Sequence, residues 1–145
     1  RSEQRYRTLF DSIDEGFCII ELLFDPDGTA VDYRFIETNP AFEHQSGLSG
    51  ATGKTIRELA PSTDNLWVDR YASVARTGKP VRFSSHAGAL GRWFDVYAFR
   101  FDDDQPSHVA VLFKDNSQDR QRQEALEKSE AEARLAAAEL EAIYD

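Results

Sequence analysis

The sequence predicts an α+β domain: a five-stranded antiparallel sheet with helices on one face, preceded by an amphipathic helix and followed by a long linker helix. Three observations carry this. Two strand-like runs flank the turn signal Asp25-Pro26-Asp27-Gly28, three more follow from Val81 to Phe113, and no Gly or Pro occurs from Asp115 to the end.

The first element is a short amphipathic helix over Ser2 to Ile13, with Tyr6, Leu9, Phe10 and Ile13 at helical spacing. Gly16 to Phe24 is almost wholly apolar, as in a strand covered on both faces. In the turn that follows, Pro presets one dihedral and Gly permits a positive one. Val31, Tyr33 and Phe35 alternate with Asp32 and Arg34, which makes a second strand and a hairpin.

Asn39-Pro40 opens a short helix, Asn as an N-cap acceptor and Pro in the first turn. A connector with Gly47, Gly50 and Gly53 follows, then one or two helical turns over Thr55 to Ala60. Asp64 or Asn65 caps a longer helix to Arg76, with Leu66, Val68, Tyr71, Val74 and Ala75 as its apolar side and Gly78 and Pro80 as its stop. Val81 and Phe83 begin the third strand. The fourth, Arg92 to Phe101, is apolar on both alternating sets: Phe94, Val96 and Ala98 on one, Trp93, Tyr97 and Phe99 on the other. Both of its faces are expected to be covered. Asp102-Asp103-Asp104-Gln105-Pro106 is a polar turn, and Val109 to Phe113 is the last strand. Asn116 or Ser117 caps the terminal helix, where Leu126, Ser129, Ala133, Ala136, Leu140 and Ile143 recur at spacings of three and four, as the a and d positions of a coiled coil do.

The expected organisation is a flanking helix over residues 1–14, a core over 15–116 and a linker helix over 117–145. The chain has 145 residues, 41% hydrophobic and 30% charged, with no Met and a charged start at Arg1, and it reads as a module excised from a longer protein. Leu9-Phe10-Asp11 is echoed by Ile143-Tyr144-Asp145, as if a second module began there. A net charge of -9 opposes nucleic-acid phosphates and anionic membrane surfaces. No stretch reaches the ~20 apolar residues that span a bilayer, so a cytoplasmic location is expected. The single Cys18 has no disulfide partner within the chain and reads as a buried thiol.

No catalytic constellation emerges. The connector Gly47 to Thr55 approaches a phosphate-binding loop, but Leu48 stands where its first Gly belongs, and a helix precedes it where a strand should. His44, His86 and His108 are far apart and have no metal-ligand spacing, so they read as surface or turn residues. Ser84-Ser85-His86 is no nucleophile pair, because adjacent strand residues face opposite ways.

The element order resembles the PAS (Per-Arnt-Sim) sensor domain family of bacterial histidine kinases and diguanylate cyclases. Asn39-Pro40-Ala41-Phe42 looks like its N-x-A-F segment. Gly47-Leu48 and Gly53-Lys54-Thr55-Ile56 with Leu59 look like the continuation. Gly91-Arg92-Trp93-Phe94-Asp95-Val96 looks like the start of its fourth strand, and Asp115-Asn116-Ser117 with the charged helix looks like its D-I-T junction and linker. Leu48 departs from the usual aromatic, and Asn116-Ser117 from the hydrophobic-Thr pair. The likeness spans roughly residues 2 to 134.

The resemblance implies a sensory, non-enzymatic module of a multidomain two-component-type protein, which relays a ligand or conformational signal through its C-terminal helix to an output domain. The alternative is a ligand-free dimerisation module. The cofactor is unknown: the family's flavin-adduct cysteine has no counterpart in residues 54–59, and its central-helix haem histidine has none in residues 65–77. Phe35, Phe42, Ile56, Leu59, Tyr71, Phe83, Phe94, Val96 and Val111 would either line a cavity for a small apolar or aromatic ligand or simply fill the core. Asp115, Asn116 and Ser117 would form the signal junction. Leu126, Ala133, Leu140 and Ile143 would form the seam of a homodimer.

Overall fold

The computed structural model describes residues 2–102 and 104–144, and of Ser2 and Tyr6 the backbone alone. The expected place of Tyr6 on its helix stripe, Asp103 in the acidic turn and Asp145 in the terminal echo lie outside the described residues. The chain divides into two compact units, Arg1–Asp115 and Asn116–Asp145.

The first unit holds α1 (Ser2–Ser12), β1 (Gly16–Phe24), β2 (Ala30–Thr38), α2 (Pro40–Ser46), α3 (Ile56–Leu59), α4 (Asn65–Thr77), β3 (Val81–Ala87), β4 (Arg92–Arg100) and β5 (His108–Asp115). The strands make one antiparallel sheet in the order β2-β1-β5-β4-β3. The two hairpins, β1–β2 and β3–β4, are thus joined through β5 at the centre. The turn between β1 and β2 closes as its residues dictate: the Asp25 carboxylate accepts the N–H groups of Asp27 (3.0 Å) and Thr29 (2.9 Å). Residues 53–55 run along the outer edge of β2, where the Phe35 N–H donates to Lys54 O at 2.9 Å. This covers a sheet edge that would otherwise be open.

One face of the sheet meets the helices, and the core lies between. Ile20, Val109 and Ala98 are fully buried there, with Tyr33, Phe35, Phe94, Val96, Val111 and Phe113 around them. Gly16 permits close packing at the junction of β1 and β5: a Cβ there would stand 2.4 Å from the Phe113 ring. The other face is less covered than expected. Trp93, Tyr97 and Phe99 are half-buried, as are Phe17 and Leu23, so β1 and β4 are not sealed on both sides. Phe17 meets the Phe10 ring of α1 edge-on at 5.2 Å.

Two local expectations are corrected. The buried side of α4 is Trp67, Val68, Tyr71, Ala72, Val74 and Ala75, while Leu66 is 43% exposed. The Asp64 carboxylate caps the helix by accepting the Leu66 N–H at 3.0 Å, and this starts the helix with Leu66 turned outward. Asn39 precedes α2, but its side chain caps nothing. It bridges instead to β1, accepting the Phe17 N–H at 2.9 Å and donating to Glu15 O at 3.0 Å. Thr55 and Glu58 do form a capping box around α3.

The second unit is α5 (Ser117–Tyr144), 28 residues long with none buried. No helix among the described residues is long and apolar enough to cross a membrane.

Candidate functional site

A cavity of about 70 Å³ lies between the sheet and the helices. Strand alternation sets its floor, since residues two apart point to one face. Cys18 and Ile20 come from β1, Tyr33 and Phe35 from β2, Phe94 and Val96 from β4, and Val111 and Phe113 from β5. Phe42 and Ser46 of α2, Ile56 of α3, and Trp67 and Tyr71 of α4 close it. Exposed or half-exposed residues lie on one side, at Thr63-Asp64 and along Gly88, Ala89 and Leu90 between β3 and β4.

The lining rings form a continuous edge-on chain. Phe35 meets Phe42 at 5.1 Å, Phe42 meets Phe113 at 5.5 Å, and Phe113 meets Phe94 at 5.5 Å. Such pairs add stabilisation beyond the area they bury. A second chain runs from Phe35 through Tyr33 to Tyr71.

The structure therefore brings together Phe35, Phe42, Ile56, Tyr71, Phe94, Val96 and Val111 of the expected lining. Leu59 and Phe83 fall outside it. Both pack on the core from its margin; Phe83 is taken up by Trp67 (5.5 Å) and by the Arg70 guanidinium above its ring (4.2 Å). The lining also holds residues that sequence reasoning missed: Cys18, Tyr33, Trp67 and Phe113.

Burial dominates the chemistry of the three weak acids here. It raises the Cys18 thiol and the phenols of Tyr33 and Tyr71 well above their ordinary values, so all three stay protonated. A protonated, enclosed thiol is a poor nucleophile. No group of three His, Cys, Asp or Glu among the described residues could hold a metal. His44 and His86 are exposed, and His108 on β5 stands 3.6 Å from the Glu21 carboxylate, outside the cavity. The residues present do not fit a flavin adduct or a histidine-held haem. Residues 54–59 offer no thiol, α4 has no histidine, and about 70 Å³ is far below the roughly 300 Å³ or more of a cofactor pocket.

Three residues from distant parts of the chain converge behind the cavity, at the end of β5. The Gln45 amide of α2 accepts the Asp115 N–H at 2.8 Å and donates to Asp14 O at 3.1 Å. Arg92 Nη1 donates to His44 O at 2.9 Å and Gln45 O at 2.8 Å, while its Nε stands 3.9 Å from the Asp115 carboxylate. Asp115 thus closes β5 under the hold of α2 and β4. In the second unit, the Asn116 carbonyl accepts the Arg120 N–H at 2.9 Å, and Ser117 opens α5. Leu126, Ala133, Leu140 and Ile143 are all exposed along that helix.

A family model described as PAS domain matches residues 4–79, more than half of the chain. Among solved structures, an RNA-binding Light-Oxygen-Voltage receptor is similar with TM-score 0.59 and 16% identity over 91% of this chain, which spans 37% of that chain's length. The PAS domain of an HTR-like protein from Haloarcula marismortui is similar with TM-score 0.53 and 18% identity, over 79% of this chain and 91% of that one. A sensory box sensor histidine kinase from Vibrio cholerae gives TM-score 0.52 and 19% identity, over 79% of this chain and 91% of that one. At these identities the likeness shows the fold. No curated protein matches.

Proposed function

This chain belongs to the PAS domain family, and from that premise we propose that it is a sensory module of a multidomain signal-transduction protein. A small ligand in the cavity changes the packing of α2 against β5. The change passes through Asp115, Asn116 and Ser117 into α5, which acts within a homodimer on an output domain of the parent. The module itself does no chemistry; catalysis belongs to that output domain, of histidine-kinase or diguanylate-cyclase type. The setting is cytoplasmic, whether or not the parent is anchored in a membrane.

One observation carries this reading. The helix that walls the cavity with Phe42 and Ser46 also holds the end of β5 with Gln45, at a distance of 2.8 Å. A ligand that moves Phe42 against Phe113 therefore acts on the same helix and strand that position Asp115. Such a relay requires that the ligand favour one of two arrangements over the other.

Native mass spectrometry of the protein purified without denaturation tests the reading. The expected spectrum shows added mass that is lost on denaturation and is absent from a Phe42→Trp variant, in which a larger ring fills the cavity. A spectrum with no added mass, and no change in α5 amide exchange between extract-treated and untreated protein, would favour a ligand-free dimerisation module.

A further inference from the structure

Two phenols face each other inside the cavity wall. Tyr33 of β2 and Tyr71 of α4 have ring centroids 5.3 Å apart at 84°. They are 7% and 4% exposed, and both line the cavity. Neither hydroxyl makes a hydrogen bond to any described residue.

The other hydroxyl and carboxylate side chains of the wall are engaged. Ser46 Oγ donates to Phe42 O at 2.7 Å and accepts the Leu48 N–H at 3.1 Å. Thr63 Oγ1 donates to Ala60 O at 2.7 Å, and the Asp64 carboxylate is the cap of α4. The hydroxyl of a tyrosine whose ring is buried usually finds a hydrogen-bond partner. Two such groups from different elements, both in the wall of one apolar space, are donors that the protein itself leaves unsatisfied.

Charge and size narrow the class further. No Lys, Arg or His lines the cavity, and its one charged residue is the acid Asp64 at the margin, so an anion would be desolvated without compensation. An engineered apolar cavity of about 150 Å³ holds benzene, with its six non-hydrogen atoms, so about 70 Å³ suits roughly three or four. We infer that the ligand is a small neutral molecule with a hydrogen-bond acceptor, such as a carbonyl oxygen, held by the hydroxyls of Tyr33 and Tyr71. This inference rests on the cavity being the ligand site proposed above.

The test compares acetone with 2-methylpropene, which replaces the carbonyl oxygen by a methylene of similar shape. Binding is followed by NMR shifts of the Val96 and Val111 methyl groups in the wild type, Tyr33→Phe and Tyr71→Phe. The two probes differ in hydration, so the effect of each substitution on each probe is the readout. Each substitution should weaken acetone about threefold to tenfold, the worth of one hydrogen bond, and leave the alkene unchanged or tighter. The thermal midpoint of the free variants should hold or rise, because the lost hydroxyl had no partner.

Equal effects on both probes, acetone failing to bind where the alkene binds, or acetate binding more tightly than acetone would overturn the inference and leave the cavity reading intact. A lowered thermal midpoint would overturn the claim that the hydroxyls are unpartnered. Neither neutral probe reaching the cavity would overturn both readings.

Discussion

Cys18, Tyr33 and Tyr71 are weak acids kept neutral by apolar surroundings, and that ties stability to alkaline pH. Burial raises each above its ordinary value, 9.0 for the thiol and 10.0 for the phenols. The folded chain therefore keeps protons that the unfolded chain releases. Their contribution is complete below pH 9 and is lost as pH rises, first through Cys18 and then through the two phenols. Each such group steepens the fall by about 1.4 kcal/mol per pH unit. Urea unfolding of the wild type should show a break near pH 9 and a steeper fall above pH 10. Tyr33→Phe should remove about 1.4 kcal/mol per pH unit from the upper slope; parallel curves would show that the phenol is not held neutral by the fold. Which of these residues face the cavity was unequally legible. Tyr33 shares the phase of Phe35, so strand alternation already put it on the inner face. Cys18 sits in a run that is apolar in both phases, where alternation carries no direction.

Arg92 shows how elements far apart in sequence become one mechanical unit. Its guanidinium satisfies two carbonyls at the end of α2, where helix carbonyls have no partner of their own. Gly47 accommodates this: it is left-handed at φ 80, and a Cβ there would stand 3.1 Å from the guanidinium. Arg92→Ala should lower stability by roughly 1–3 kcal/mol and speed amide exchange in α2. Arg92→Lys should recover little of it, since an ammonium cannot reproduce the fork. Wild-type stability in Arg92→Ala would mean that α2 is held by packing alone. None of this convergence could be read from spacing. Residues 45, 92 and 115 meet only because β5 inserts between β1 and β4, and the order of strands in a sheet leaves no periodic trace. The elements themselves were legible from turn residues, caps and alternation. The phase of α4 was not, because Leu66 and Trp67 are both apolar and the cap at Asp64 decides which one turns inward.

On the scale of the whole molecule, α5 is the element whose own unit offers no core. None of its 28 residues is fully buried, and Leu126 is 53%, Leu140 57% and Ile143 73% exposed. A helix with apolar residues at a and d gains most from a second copy with the same register, where each knob meets a hole of the partner. That is the basis for proposing a homodimer through Leu126, Ala133, Leu140 and Ile143, with Ser129 and Ala136 as weak points at d. The proposal distinguishes two otherwise similar alanines. Ala136 falls on the seam and Ala138 on the opposite face, yet both are exposed and in the same turn of helix. Ala136→Leu should tighten the dimer by about tenfold or more, because each copy then buries about three more carbons. Ala138→Leu has the same helix propensity and hydrophobicity and should change nothing. Leu140→Glu should dissociate the dimer. Sedimentation equilibrium of the three variants decides it: equal effects at 136 and 138 would mean that exposed leucine merely promotes association, and that α5 carries no specific seam.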